Sequence, residues 1–168
     1  MLNLKTEVIL SPLSRIDAEL VANEELLLVR PAGSQPGPVL EEQLSRLRFV
    51  LPAKGNPLRD FIDEKARRRG YSINVVLEVD GAGSRFNSVV SGIGCTLLGA
   101  QSIPVDAAQQ RLSISPVLPA LYRPIYIGRR PGLNPDLGDL MEQIIAASLD
   151  DLGLSQFTAK VGMPDIIP

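Results

Sequence analysis

Short apolar runs recur along the chain and predict six β-strands. The runs are continuous rather than strictly alternating, and the one that begins at Ile73 is rich in β-branched residues. Runs of this kind are typical of strands that are covered on both faces, as in a parallel or mixed α/β sheet. The predicted strands are Leu26–Val29, Phe49–Leu51, Ile73–Val79, Ile93–Leu98, Leu112–Val117 and Tyr122–Ile127.

The clearest helix signal lies between residues 56 and 70. Asn56-Pro57 is typical of an N-cap followed by proline at the first helical position. Acidic residues near the start, arginines near the end and Gly70 as a C-terminal stop all match the helix dipole and its usual termination. Apolar residues recur at spacings of three and four, which places them on one face: Leu58, Phe61, Ile62 and Ala66.

Two further amphipathic helices are predicted. One begins near Ser84, and its apolar positions are Phe86, Val89 and Val90. The other begins at Asn134-Pro135, and its apolar face consists of Leu137, Leu140, Met141, Ile144, Ile145 and Leu149. Strands and helices alternate from Phe49 to Leu98, which is typical of parallel βαβ units with right-handed crossovers. The pattern therefore predicts an α/β fold.

The composition changes this picture mainly by exclusion. A length of 168 residues predicts one domain or two small lobes, with enough chain to bury a core. The sequence has no histidine, which excludes a Ser-His-Asp triad and a histidine general base. The single cysteine, Cys95, excludes a disulfide framework and is predicted to be a small buried apolar residue. We expect no metal, no cofactor and no enzyme activity.

The charge balance argues against direct binding of nucleic acid. The chain has 17 basic and 19 acidic residues, a net charge of -2. The basic run Arg67–Arg69 is predicted to be a solvated helix end. Residues 1–20 carry charges throughout rather than the apolar core of a secretory leader. No apolar run approaches the roughly 20 residues that cross a bilayer. We expect a cytoplasmic protein that contacts no membrane.

Three turns are candidate ligand sites. In open α/β sheets, ligands bind beyond the carboxyl ends of the strands, where the next helices begin. The turns at residues 52–56, 80–84 and 99–102 follow three of the predicted strands. Backbone N–H groups at a helix start attract anions, and Lys54 and Asn56 add donors that suit a small carboxylate. The alternative interpretation is that these turns are only well-capped helix starts.

An ordered set of short motifs runs through most of the chain. Glu24–Val29 (EELLLV) precedes a Pro31-Ala-Gly33 loop, and Leu51-Pro52 ends the second predicted strand. The order continues with Leu58-Arg59, Ile62-Asp63, Gly70, Glu78, Val89-Val90-x-Gly92-Ile93-Gly94, Leu97 and Arg123–Ile127. Taken together, the set resembles the effector-binding domain of LysR-type transcriptional regulators over most of residues 20–150. Gly99 departs from the family, in which a proline usually closes this strand.

The resemblance implies a Rossmann-like lobe of a type II periplasmic-binding-protein-like domain, with an incomplete second lobe. Residues 21–120 are then expected to form effector-binding lobe two. Residues 1–20 are expected to be a crossing segment and remnant of lobe one. Residues 121–168 are expected to return to lobe one and to end in the C-terminal helix. The DNA-binding domain, the linker helix and most of lobe one would be absent, so we expect the chain to be a fragment.

The function that the resemblance implies is the sensing of a small molecule, a carboxylate or another anion, between two lobes of a regulator. DNA would be bound only through a domain absent from this chain. The expected ligand-binding residues are Lys54, Gly55, Asn56, Asp80, Gly81, Ser84, Gly99 and Ala100. The apolar faces of Tyr122–Ile127 and residues 135–149 would lack their usual partners, so we expect a homo-oligomer. The alternative is a stand-alone cytoplasmic module that binds a small molecule or a protein but not DNA.

Overall fold

The computed structural model describes residues 18–105, 112–128 and 135–151. Its strands are β1 (Ala18–Arg30), β2 (Val39–Leu40), β3 (Arg48–Leu51), β4 (Asn74–Glu78), β5 (Thr96–Gly99), β6 (Ser113–Leu118) and β7 (Tyr122–Gly128). Its α-helices are α1 (Pro57–Arg68), α2 (Ala82–Val90) and α3 (Pro135–Asp151), and 3-10 segments span Glu41–Arg46 and Ala100–Ser102. Two compact units are present: Glu25–Arg123 forms the first, and the described parts of residues 1–24 and 124–168 form the second.

The elements from β3 to β5 form the parallel core of the first unit. β3 pairs with β4 in parallel. The Val50 N–H donates to the Cys95 carbonyl and the Cys95 N–H donates to the Arg48 carbonyl, both at 2.8 Å. These two bonds form a parallel bridge between β3 and the residue that precedes β5. The predicted parallel βαβ arrangement is confirmed, and it brings the carboxyl ends of β3, β4 and β5 to one edge.

The other strands of this unit make the sheet mixed. β5 and β6 each pair with β1 in antiparallel fashion, and β2 pairs with β6 in parallel. β7, most of which belongs to the second unit, also pairs with β1. The sequence pattern did not predict β2, because a pair of apolar residues after a loop of proline and glycine has no periodicity to detect.

Helices cover both faces of the sheet around β5. Leu97 belongs to an apolar cluster with Leu28 of β1 and Ile62 of α1. Leu98 belongs to a second cluster with Phe86 of α2. Successive strand residues point to opposite faces, so the neighbours Leu97 and Leu98 reach different helices. This double coverage explains why β5 is buried along its whole length and reads as a continuous apolar run.

Local signals place α1 correctly. The Asn56 side-chain oxygen accepts a hydrogen bond from the Leu58 N–H at 3.0 Å, and Pro57 occupies the first helical position. Gly70, just past the helix end, has a φ of +79°, a conformation that costs glycine little and other residues more. Both ends of α1 are therefore determined by residues within one turn of each terminus.

Three details differ from the predictions. α2 begins at Ala82 rather than near Ser84, and Val90, its last residue, is 44% exposed because it lies about 100° around the helix from the buried Val89. β5 begins at Thr96 rather than Ile93, because residues 91–93 form the turn and bend that follow α2. The residues of β4 alternate between exposed and half-buried, because this strand lies at an edge of the sheet.

The second unit is described through parts of β1, β7 and α3. Its buried residues Ala22 and Ile125 pack with Val21 and Ile145. Of the expected apolar face of α3, three side chains are exposed: Leu140, Met141 and Ile144. The side chains of residues 137 and 149 lie outside the described part of the chain. None of the described helices combines the length and apolarity needed to cross a bilayer.

Candidate functional site

Three turns lie at the edge where the carboxyl ends of β3, β4 and β5 meet. The first turn, residues 52–56, connects β3 to α1, and the second, residues 79–81, connects β4 to α2. The third leads from β5 into the 3-10 segment Ala100–Ser102. The Val79 N–H donates to the Leu51 carbonyl at 2.8 Å, which holds the first and second turns side by side. All eight expected ligand residues lie on these turns or at the starts of the helices that follow.

The chain's own carboxylates close the first turn. The Ala53 N–H donates to Asp80 Oδ1 at 3.2 Å, and Asn56 Nδ2 donates to the same oxygen at 3.4 Å. The Gly55 N–H donates to Asp60 Oδ1 at 3.1 Å. Two backbone N–H groups that the sequence offers to an anionic ligand are therefore already bonded to carboxylates of the protein.

Lys54 stands at the tip of the first turn. Its side chain is exposed. The neighbouring Gly55 has a φ of +85°, and an added Cβ would have no heavy atom within 4 Å. A larger residue at this position would be strained by its backbone conformation and not by crowding. Gly55 therefore shapes the turn that presents Lys54 to solvent.

Arg59 connects the first turn to β4 through its hydrogen bonds. Its Nη1 donates to the Pro52 carbonyl at 3.1 Å and to Glu78 Oε1 at 2.9 Å, and its Nε donates to Asp63 Oδ2 at 2.8 Å. Burial by itself lowers the pKa of Arg59, but the hydrogen bonds to Glu78 and Asp63 outweigh it and raise the pKa above its usual value. In the sequence, Arg59 is distinguished only as part of the Leu58-Arg59 motif.

The second turn opens α2 without a side-chain cap. Gly81 is the N-cap residue, no side chain caps the helix, and its first turn contains no acidic residue. The first N–H groups of a helix have no acceptor within the helix and carry partial positive charge. Ser84 is exposed on this first turn. Asp80 is adjacent in sequence, but its carboxylate accepts the bonds from the first turn.

Arg85 is a buried cation beside the second turn. The residue is only 5% exposed, and its Nη1 donates to the carbonyls of Asp80 at 2.6 Å and Val79 at 3.5 Å. Its Nε is buried with no hydrogen-bond partner. The ion pairs of the described residues do not include Arg85. Burial lowers the pKa of Arg85, the charge of Arg123 lowers it further, and the charge of Asp80 opposes both.

Arg85 belongs to no motif that marks it in the sequence, and an arginine on an amphipathic helix is usually solvated. One signal was available. Arg85 adjoins Phe86 and lies four residues before Val89, so helical spacing puts it on the same buried face. A charged residue at an apolar position of an amphipathic helix therefore indicates a buried charge.

The third turn contributes backbone rather than side-chain groups. Gly99 is buried at the end of β5, and Ala100 is exposed at the start of the 3-10 segment. Gly99 has a φ of -64°. This angle is the one at which a proline ring holds its own backbone. Gly99, at a position where the resemblance implies a proline, therefore keeps a proline-like φ.

Two other candidates have structural explanations. Cys95 is 4% exposed, its Sγ donates to the Arg48 carbonyl at 3.2 Å, and burial raises its pKa to about 12. It is the buried residue that the sequence predicts. Arg67 and Arg68 are exposed and pair with Glu64, as expected for a solvated helix end. In the described part of the chain, no cluster of acidic or cysteine side chains has the arrangement of a metal site.

Comparison with known proteins gives one family. Residues 7–148 match the family model of the LysR substrate binding domain. The fold is similar to the CcmR regulatory domain of Synechocystis in complex with 2-PG, with a TM-score of 0.67 and 15% identity over 79% of this chain and 66% of that one. It is also similar to the effector-binding domain of QuiR in complex with shikimate, with a TM-score of 0.63 and 14% identity over 89% of this chain and 68% of that one.

A third similar structure is the regulatory domain of MetR from N. meningitidis, with a TM-score of 0.70 and 9% identity over 94% of this chain and 73% of that one. No curated protein sequence matches the chain significantly. The chain covers 66% of the CcmR domain, so it spans about two thirds of the length of the first of these structures. At these identities the likeness establishes the fold.

Proposed function

Because the chain belongs to the LysR substrate-binding domain family and has its type II periplasmic-binding-protein-like fold, we propose that it senses a small acidic molecule at the edge formed by its three turns. Domains of this family are regulatory sensing domains, and we propose the same role here in place of catalysis. The proposed contacts lie at the eight positions predicted from the sequence: Lys54, Gly55, Asn56, Asp80, Gly81, Ser84, Gly99 and Ala100.

The observation that carries this proposal is the uncapped start of α2, which shares that edge with two basic side chains. α2 begins there without a side-chain cap or an acidic first turn. Arg85 lies buried beside it, and Lys54 stands exposed on the adjacent turn. Shikimate, the molecule in the QuiR structure, is a carboxylate. An acidic ligand would gain both charge-assisted hydrogen bonds and the favourable end of a helix dipole.

The regulatory role extends this proposal to a longer protein. We propose that the chain acts in a DNA-binding regulator whose DNA contacts come from a domain outside these 168 residues. A ligand held between two lobes would change their relative orientation by binding one arrangement more tightly. The same proposal has four further parts. The chain is a fragment of the regulator, and its lobes divide near residues 20 and 120. It forms a homo-oligomer, and it is located in the cytoplasm.

Calorimetric titration tests the sensing role. Shikimate, inorganic phosphate and further small carboxylates are added separately to the full chain, and thermal unfolding is followed in parallel. A ligand that binds only the folded state raises Tm by an amount that grows with its concentration. We expect at least one acid to bind and to raise Tm. Failure of a broad panel of acids would favour the alternative, a stand-alone protein-interaction module.

A further inference from the structure

At this edge of the sheet, Arg85 Nε is a buried donor without a hydrogen-bond partner among the described residues. We infer that the anionic group of the ligand binds at the second turn, on Arg85 and the N–H groups that begin α2, and not at the first turn beside Lys54. This inference rests on the proposed sensing function and specifies which charge the site recognises. The ligand class is a carboxylate or a phosphate monoester, since both present two oxygens to a guanidinium.

The first turn is already occupied by internal anions. The Ala53 N–H is bonded to Asp80, and the Gly55 N–H is bonded to Asp60. A ligand anion would have to displace these carboxylates while approaching two negative charges at short range. Lys54 is exposed to water there, and a hydrated ammonium on a flexible stem gives up more entropy on binding than a fixed guanidinium.

The second turn has the opposite arrangement. α2 is nine residues long, its N-cap Gly81 supplies no side-chain acceptor, and its first turn has no acid. Arg85 is 5% exposed, and its Nε has no partner. A guanidinium withdrawn from water without an ion pair is costly, and an anion that pairs with it removes that cost. Among the described residues, Asp80 acts on Arg85 only through its charge, because its carboxylate is hydrogen-bonded to the first turn and makes no ion pair with the guanidinium.

The position of the guanidinium matches the helix start. Arg85 Nη1 donates to the carbonyls of Asp80 and Val79, the two residues directly before the N-cap Gly81. These bonds hold the guanidinium against the backbone of the turn from which α2 begins. One oxyanion at this place would meet two kinds of donor, the guanidinium and the unpaired N–H groups of the helix. This convergence is absent from the first turn.

Calorimetric titration of the full chain with shikimate, its neutral methyl ester and inorganic phosphate tests the inference. Arg85→Met removes the charge and keeps a long apolar stem, Arg85→Lys keeps a charge, and Lys54→Met removes the charge of the first turn. Arg48→Met is the matched control, since this exposed arginine lies at the opposite end of β3. Charge-assisted hydrogen bonds of this kind are worth about tenfold or more in affinity. We expect Arg85→Met to weaken shikimate by at least that factor, Arg85→Lys to weaken it less, and Arg48→Met to leave it unchanged.

The other outcomes separate the inference from the sensing function. The inference is overturned if shikimate and its ester bind with equal affinity. It is also overturned if Lys54→Met lowers the affinity for shikimate tenfold and Arg85→Met leaves it unchanged. Either result leaves the sensing function in place. Absence of any binding would overturn both. Circular dichroism reports whether Arg85→Met folds. If it does not, amide chemical shifts of the wild-type chain decide: perturbation by phosphate at residues 82–85 supports the inference, and perturbation confined to residues 53–55 contradicts it.

Discussion

The carboxylate of Asp80 accepts a hydrogen bond from the backbone N–H of Ala53 at 3.2 Å. This single contact joins the second turn of the edge to the first, across 27 residues of sequence. The same oxygen also accepts from Asn56 Nδ2 at 3.4 Å. Asp80 therefore occupies the place at the first turn that an anionic ligand was expected to take, and its hydrogen bonds give it a structural role there.

Removal of the Asp80 carboxylate is expected to loosen the first turn. Asp80→Ala leaves the Ala53 N–H without its acceptor, and bonds of this type contribute about 0.5–1.5 kcal/mol. For a chain of this length, the corresponding decrease in Tm is about 2–4 °C per kcal/mol. Thermal unfolding by circular dichroism measures it, with Glu42→Ala as the control because Glu42 is an exposed acid away from the turns. An unchanged Tm would show that water replaces the carboxylate without loss.

The ion pairs of Glu64 predict a specific pH dependence. Hydrogen bonds from Arg67 and Arg68 lower the pKa of Glu64 from 4.5 to about 2. Because the pKa of Glu64 is lower in the folded state, its ion pairs stabilise the fold fully above about pH 4.5, and this stabilisation is lost as the pH falls towards 2. Glu64→Gln is therefore expected to be less stable than the wild type at pH 7, with a difference that shrinks between pH 4.5 and 2.

Urea unfolding at pH 7, 4.5 and 2.5 measures this difference. Exposed pairs contribute little and are screened by salt, so the effect is expected to be small and to decrease further at high ionic strength. Glu42→Gln, which changes an exposed acid of the same unit that makes none of the described ion pairs, is the control. A difference between Glu64→Gln and the wild type that stays constant down to pH 2.5 would contradict the assignment.

Cys95 is expected to be unreactive while the protein is folded. Burial raises its pKa to about 12, so at pH 8 the reactive thiolate is scarce and the sulfur is shielded. Labelling with a thiol reagent is expected to be at least 100-fold slower in buffer than in denaturant. The chain has a single cysteine, so the labelling signal reports this site without interference. Equal rates in the two conditions would show that the β5 region opens readily.

The exposed apolar side chains of α3 predict self-association. Leu140 and Ile144 are 52% and 50% exposed, and they lie four residues apart on one side of the helix. Light scattering coupled to size exclusion at micromolar concentration is expected to give a dimer or a larger species. Leu140→Glu combined with Ile144→Glu is expected to shift it towards the monomer, whereas Gln143→Glu combined with Ala146→Glu adds the same two charges at other exposed positions of the helix and serves as the control. A monomeric wild type would contradict the expectation.

Much of the fold could be predicted because its signals are local. The N-cap Asn56, the proline after it and Gly70 beyond the end define α1 within a few residues. The alternation of strands and helices implied parallel pairing, and the pairing of β3 with β4 confirms it. β2 escaped prediction because two residues paired with distant Val117 and Leu118 have no pattern of their own.

The candidate site divides in the same way. The sequence by itself determined which turns lie at the carboxyl ends of the strands, since strand–helix order fixes that edge. Only the tertiary structure decided which of their donors are free. The Asp80 carboxylate accepts a hydrogen bond from a turn 27 residues earlier in the sequence. Arg85 is shielded from solvent because α2 packs against the sheet. Both outcomes depend on packing between segments distant in sequence, whereas propensity and periodicity report only on neighbours along the chain.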